Sequence, residues 1–395
     1  MKKFRIPLIK STFYKEKETK TKLIRFIKSA KKLSMGKYVF EFEKKFAKWH
    51  GRKYGVMVNS GSSANLVLLQ TLKNLGILKE GDKIAFSSIT WSTNVMPIIQ
   101  LGFVPVPVDV EIKTINVSPE TLKKVYKKNR FHALFLTNLL GFCDDILEIK
   151  NFCEKNNIIF FEDNCESLGS EYKNIKLGNF SIASTTSFFV GHHLSTIEGG
   201  MILTDNLEIY ETAKIVRTHG WSRDISSDTK NKLMKKFKID KFYNLYSFYD
   251  LGYNLRPTEI QGFLGLIQLK YLDEIIRKRE KNFLSLSIIY DDESIFSIST
   301  KGLTKISNFA FPIILKSQNK CKKLVKHLVK SGIETRPIVG GNMTLQPFWK
   351  KYVKRKYNLP NSSYLHNNGF YFGNNPELTK SDINYIIRVF DTFKK

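Results

Sequence analysis

The feature that most constrains this chain is an alternation. Short runs rich in β-branched and aromatic residues occur at 54–58, 83–88, 103–110, 132–140, 158–161 and 182–189, and one more reopens after a glycine turn at 199–204. Helical spacing lies between several of them. Runs of this length bounded by turn residues read as strands. Strands that alternate with helices make a largely parallel sheet covered on both faces. The run 103–110, FVPVPVDV, carries two prolines and reads as an edge or a turn. Helical spacing is clear at 20–33 (Leu23, Phe26, Ile27, Ala30), at 35–51 (Phe40, Phe42, Phe46, Trp49) and after Asn65 (Leu66, Leu68, Leu69, Leu72). One long amphipathic helix is expected from Ile260 through Phe263, Leu264, Ile267 and Tyr271 to Ile275. Residues 224–246 are polar and lysine-rich and read as a mobile loop. A chain of 395 residues has room for an N-terminal segment (1–36), a large domain (37–265) and a smaller C-terminal α/β domain (266–395).

In α/β folds, ligands bind outside the carboxyl ends of the strands, so the loops there are where chemistry is expected. The stretch 187–205, SFFVGHHLSTIEGGMILTD, is a strand, a short loop with His192 and His193, and a second strand. Histidine titrates near neutral pH and can act as a base; two packing histidines are the plainer reading. Asn59-Ser60-Gly61-Ser62-Ser63-Ala64-Asn65 opens a helix. Such a small-residue start is either an anion site on exposed N–H groups or an ordinary cap by Ser60 or Ser62. Trp91 sits in a loop after the 83–88 run, and Asp163 and Glu166 follow the 158–161 run.

These motifs, in this order, resemble the DegT/DnrJ/EryC1/StrS sugar aminotransferases, which are pyridoxal phosphate enzymes. The likeness runs from about Gly36 to the C-terminus and rests on six separate motifs, led by Ser-Phe-Phe-x-x-His-x5-Glu-Gly-Gly at 187–200. It implies the aspartate aminotransferase-like fold (fold type I), with a mostly parallel seven-stranded sheet in the large domain. In most of that family a lysine stands where this chain has His192, and it holds the cofactor covalently. An imidazole cannot do so, and no lysine lies between Lys176 and Lys214. A His-His pair here resembles the sugar 3-dehydratases of the same family.

The resemblance assigns Gly61, Ser62, Ser63 and Ser187 to the cofactor phosphate, Trp91 to stacking on the pyridine ring, and Asp163 to the pyridine nitrogen. Glu166, where aminotransferases carry Gln or His, falls to the ring oxygen or to positioning, with a helix-terminus salt bridge as the alternative. Asn254, in Gly-Tyr-Asn, is expected to reach a partner subunit's cofactor, which implies a homodimer with shared active sites. His219 and Arg223 either contact the sugar or diphosphate or form a surface loop. Arg336 and Asn342 belong to a substrate-facing loop, where Arg336 can pair with a phosphate or a hydroxyl.

The reaction implied is removal of the C3 hydroxyl from a nucleotide-linked 4-keto-6-deoxyhexose. Pyridoxamine phosphate is the cofactor, glutamate the amino donor, and the product a 3,6-dideoxy-4-keto sugar for surface polysaccharide. A sugar aminotransferase that tolerates histidine, and a non-catalytic family member, are the alternatives.

Composition bounds the partners. The formal charge is +28, but the lysines are scattered; the densest cluster holds six in the twelve residues 230–241. That reads as solvated surface with some attraction for an anionic nucleotide sugar, not as a nucleic-acid site. The four cysteines form no C-x-x-C or C-x-C pair, so neither metal nor iron–sulfur ligation is expected. Of the two styles of 3-dehydratase, this favours the one without an iron–sulfur cluster. Arg5 and Lys10 interrupt any signal-peptide core, and no run is long enough to span a bilayer, so a cytoplasmic protein without membrane insertion is expected.

Overall fold

Seven of the apolar runs become strands of one sheet in the computed structural model, which describes residues 4–394. They are β1 (Tyr54–Val58), β2 (Lys83–Ser87), β3 (Val104–Val108), β4 (Ala133–Thr137), β5 (Ile159–Asp163), β6 (Ala183–Ser187) and β7 (Gly200–Thr204). Their order is β1-β7-β6-β5-β4-β2-β3. Only β7 runs against the rest. The α/β fold with a mostly parallel seven-stranded sheet is therefore the one the sequence implies. The two prolines of β3 lie on the sheet edge, paired on one side only, where a missing N–H costs no ladder bond.

This parallel direction creates the site. The carboxyl ends of β1, β2, β4, β5 and β6 all lie along one edge of the sheet. The start of antiparallel β7 joins them, because Gly200 faces both Ser187 and Val58. A second, antiparallel sheet of β8 (Ala310–Ile314), β9 (Thr335–Pro337) and β10 (Gly369–Gly373) stands near that edge, in the order β8-β10-β9. The N-terminal segment runs beside it, with Ile6 bridged to Ile333.

Helix α1 (Glu16–Ser29), α2 (Lys37–His50) and α3 (Gly61–Asn74) follow the expected spacing. The expected long helix from Ile260 does not run through. It is two helices, α4 (Glu259–Leu269) and α5 (Leu272–Leu286), with a joint at Lys270 and Tyr271. Apolar spacing continues on both, so periodicity cannot reveal the joint. Tyr271 is held there by a hydrogen bond to Glu18 (2.8 Å). Residues 224–246 are also not a plain loop. Ser226 caps a helix at Ser227–Phe237 that buries no side chain, and a short turn of helix follows at Tyr243–Tyr246. The few apolar residues it carries, Leu233, Met234 and Phe237, are too sparse among the lysines to stand out as a helix.

All four cysteines are free and buried. Among the described residues, no cluster of His, Cys, Asp or Glu is placed to hold a metal. Among the described residues, no helix is long and apolar enough to cross a membrane.

Candidate active site

The strand ends and the second sheet enclose a cavity of about 690 Å³. One end is built for an anion. Ser60 caps α3, its hydroxyl accepting from the Ser63 amide (3.1 Å). The amides of Gly61 and Ser62 then have no intrahelical acceptor and sit at the positive end of the helix. Ser187, at the end of β6, packs directly against this turn. A Cβ on Gly61 would come within 2.6 Å of the Ser187 Cβ, and one on Gly200 within 2.3 Å of the Ser60 carbonyl oxygen. Both glycines are therefore dictated by close approach. The cap and the anion site, alternatives in the sequence, coexist. Gly61, Ser62 and Ser187 line the cavity, whereas Ser63 does not: its hydroxyl donates to Asn59 Oδ1 (2.6 Å). Gly61→Ala should weaken pyridoxal phosphate binding by about tenfold or more. Absorbance titration of the apoenzyme measures it; unaltered binding would place the phosphate elsewhere.

The floor is Asp163. Its Oδ2 accepts from Asn65 Nδ2 (2.9 Å) and Asn94 Nδ2 (2.8 Å), and its Oδ1 from the Cys165 amide (2.8 Å). Each asparagine is itself oriented by a hydroxyl that donates to its oxygen: Thr185 to Asn65 (2.6 Å) and Thr90 to Asn94 (2.9 Å). The amide nitrogens must therefore face the carboxylate. Trp91 stands at the wall with 55% of its surface exposed, an indole face that a planar ring would cover.

Glu166, also in the wall, is buried and accepts a hydrogen bond from the Leu140 amide (3.0 Å). It makes no ion pair among the described residues, so the salt-bridge alternative is not what is seen. Burial pushes its carboxyl up to about 8, with the Asp163 charge adding to the effect and the Leu140 amide opposing it. At neutral pH it holds a proton it can donate.

The two histidines point to different tasks. The His193 ring is buried against the Ser307 carbonyl oxygen (Nε2 to O, 3.1 Å). The His192 ring lies in the cavity wall between Phe189 and Phe309, with centroids 5.8 and 5.3 Å away, and its Nδ1 has no partner. Among the described residues, no lysine lines the cavity. Burial, and secondarily the Arg279 charge, bring the His192 imidazole down to about 4. It is neutral, and so free to accept a proton, throughout the physiological range. Turnover should accordingly show no acid limb from this ring between pH 8 and 5. A limb near the ordinary histidine value of about 6.5 in a pH–rate series would contradict this environment.

Of the expected substrate residues, Arg336 lines the cavity, with its guanidinium on Glu334 Oε1 (2.6 Å). Asn342 does not: it is buried, its oxygen accepts from the Thr344 amide (3.0 Å), and its nitrogen donates to Ser363 (3.2 Å). Its side chain holds its own loop together instead of facing a substrate. His219, Arg223 and Asn254 also lie outside this chain's cavity. They group on another surface, where Thr218 bridges to Asn254 and the Arg223 guanidinium sits 3.9 Å from the Trp221 ring centroid.

Leu8, Ile9 and Phe309 also line the cavity, and no motif pointed to them. Asn65 and Asn94 carried a usable signal, since each ends a motif at a strand's carboxyl end.

An anion-binding helix start, a carboxylate with three fixed donors and an open indole face fit the phosphate, nitrogen and ring of pyridoxal phosphate. With this sheet they define a pyridoxal-phosphate enzyme of the aminotransferase fold. The chain belongs to the DegT/DnrJ/EryC1/StrS aminotransferase family, which it matches over residues 14–391. It is 36% identical to GDP-4-keto-6-deoxy-D-mannose 3-dehydratase of Escherichia coli O55:H7, over 97% of this chain and 98% of that protein. It is 31% identical to the lipopolysaccharide biosynthesis protein RfbH of Salmonella typhimurium, over 91% and 86% of the two chains. A crystal structure of GDP-4-keto-6-deoxymannose-3-dehydratase with pyridoxal phosphate and glutamate trapped together superposes with a TM-score of 0.88 at 34% identity, covering 98% of this chain and 100% of that one.

Proposed function

We propose that this protein removes the C3 hydroxyl of a nucleotide-linked 4-keto-6-deoxyhexose and yields a 3,6-dideoxy-4-keto sugar for surface polysaccharide. The observation that carries this is the His192 ring in the cavity wall, at the place where the family carries its lysine and where no lysine among the described residues lines the cavity. Pyridoxamine phosphate, when bound, supplies the amine that condenses with the C4 ketone and a ring that takes up an electron pair. The Gly61–Ser62 turn and Ser187 hold the phosphate, Trp91 covers the ring, Asp163 holds the pyridine nitrogen, and Glu166 donates to the ring oxygen. His192 takes a proton from the carbon beside the cofactor amine, and its imidazolium returns that proton to the departing C3 oxygen. Arg336 faces the sugar side, where it can turn from Glu334 to an anionic group.

The balance is simple. Glutamate is the reductant, and each sugar that loses one oxygen leaves one 2-oxoglutarate and one ammonia. Transamination would leave 2-oxoglutarate and an amino sugar, with no free ammonia. Holoenzyme incubated with glutamate and a panel of 4-keto-6-deoxy nucleotide sugars should give a product lighter by one oxygen, with ammonia in step. An amino sugar without ammonia would establish the aminotransferase reading instead. No change in cofactor spectrum with glutamate would favour a non-catalytic member.

The working unit in this reading is a cytoplasmic homodimer. Phe242, Tyr243, Tyr246 and Leu251 are each at least 70% exposed on an arm tied to the 218–224 loop, more apolar surface than a monomer keeps wet. A second copy covering that arm would bring His219, Arg223 and Asn254 toward a neighbouring cavity. Inactive His192→Asn and Asn254→Ala chains, refolded together, should then regain roughly a quarter of wild-type activity, since half the dimers carry one intact site. No recovery would mean that each site is complete within one chain.

A further inference from the structure

Arg279 on α5 is buried, yet among the described residues it has no carboxylate partner. Its Nη1 donates to the Asn374 carbonyl oxygen (2.7 Å), its Nη2 to the His192 carbonyl oxygen (3.0 Å), and its Nε has no partner. A buried guanidinium without a counter-ion is costly, so what it grips matters. One grip is on a rigid frame: Asn374 Nδ2 donates back to the Arg279 carbonyl oxygen (2.9 Å) and to Asn308 Oδ1 (2.9 Å). The other is on the 190–194 loop, which has no regular secondary structure. The His193 ring, on the Ser307 carbonyl oxygen, is a second anchor for that loop one residue on.

We propose that Arg279 is a positioning residue for the dehydration, holding the His192 main chain so that its imidazole stays turned into the cavity. This rests on the dehydratase reading above. The position also suits the proton cycle. The guanidinium charge disfavours the imidazolium, so His192 is free to accept a proton and ready to surrender it to the leaving oxygen. Asp163 and Glu166 from the β5 loop, Glu198 from the histidine loop, Glu334 and Arg336 at β9, and Tyr371 from β10 share the cavity. Of the charged groups, only Arg279 bears on the ring's titration, after burial itself.

The test compares wild-type holoenzyme with Arg279→Met and Arg279→Lys in steady-state deoxygenation from pH 3.5 to 9. Arg279→Met should lower kcat on the order of 10- to 100-fold, the cost of a misplaced catalytic group. KM should stay within about twofold, and the acid limb should move toward neutral. Arg279→Lys keeps the charge and should restore part of kcat and the wild-type limb. A methionine variant with wild-type kcat and an unmoved limb overturns the proposal. If that variant does not fold, the lysine variant decides: kcat reduced several-fold at constant KM supports the role, and wild-type kcat overturns it. His192→Asn separates the two claims. If it deoxygenates like wild type, His192 is not the acid–base group, and this proposal fails with that assignment; if wild type itself forms no deoxygenated sugar, the dehydratase reading has failed. If His192→Asn is inactive while both Arg279 variants are unchanged, only the positioning role has failed.

Discussion

His192→Lys should lose deoxygenation by on the order of 10²- to 10⁴-fold, the range attributed to a positioned acid–base group. The same variant should capture pyridoxal phosphate covalently, so that borohydride reduction leaves a phosphopyridoxyl group on a peptide containing residue 192. Both effects follow from the surroundings of the ring. The position is buried between Phe189 and Phe309 and lies near the Arg279 guanidinium. Desolvation and a neighbouring cation both lower the pKa of an amine placed there, which leaves it neutral enough to attack an aldehyde. In that case the cofactor is tied to the chain, and the proton relay that needs a free imidazole is gone. Intact mass after borohydride and the deoxygenation rate are independent readouts. Deoxygenation at the wild-type rate would remove His192 from the reaction altogether.

Much of this fold could be read directly from the sequence, because the signals were redundant. Each strand of the large sheet has an apolar or β-branched run of the right length, and the prolines of 103–110 point to an edge or a turn, of which the sheet shows the edge. What stayed hidden has a physical cause in each case. The joint at Lys270–Tyr271 lies within continuous apolar spacing, and the helix at Ser227–Phe237 has no buried face. At the site, residues adjoining a strand end or helix start were legible: Gly61, Asp163, Ser187 and His192 each occupy such a place. Arg279 was not, because a buried arginine held only by main-chain carbonyls looks like any other charged residue on an amphipathic helix. Leu8 and Ile9 reach the cavity from a segment that is distant in sequence and carries no motif. Asn342 shows the converse, a motif residue whose side chain organises its own loop.

The second large effect is expected at Asp163. Replacing it by asparagine changes one atom, yet the three donors around the carboxylate cannot adapt. Asn65 and Asn94 are locked by Thr185 and Thr90, so their nitrogens would still point at position 163. An amide there can present only one oxygen, and whichever way it turns, its own nitrogen meets a donor or faces the cofactor. A nitrogen toward the pyridine cannot favour a protonated ring, and electron withdrawal from the reacting carbon is lost with it. Asp163→Asn should therefore lower kcat for deoxygenation on the order of 10²- to 10³-fold, comparable to removal of a preorganised electrostatic group. The bound cofactor's absorption should also change. Melting temperature with and without cofactor separates this from simple misfolding: the apo forms should melt alike, and the holo gain should shrink. If Asp163→Asn turned over within about fivefold of wild type, a loss under about 1 kcal/mol in the barrier, the ring nitrogen would need another partner and the cofactor another orientation in the cavity.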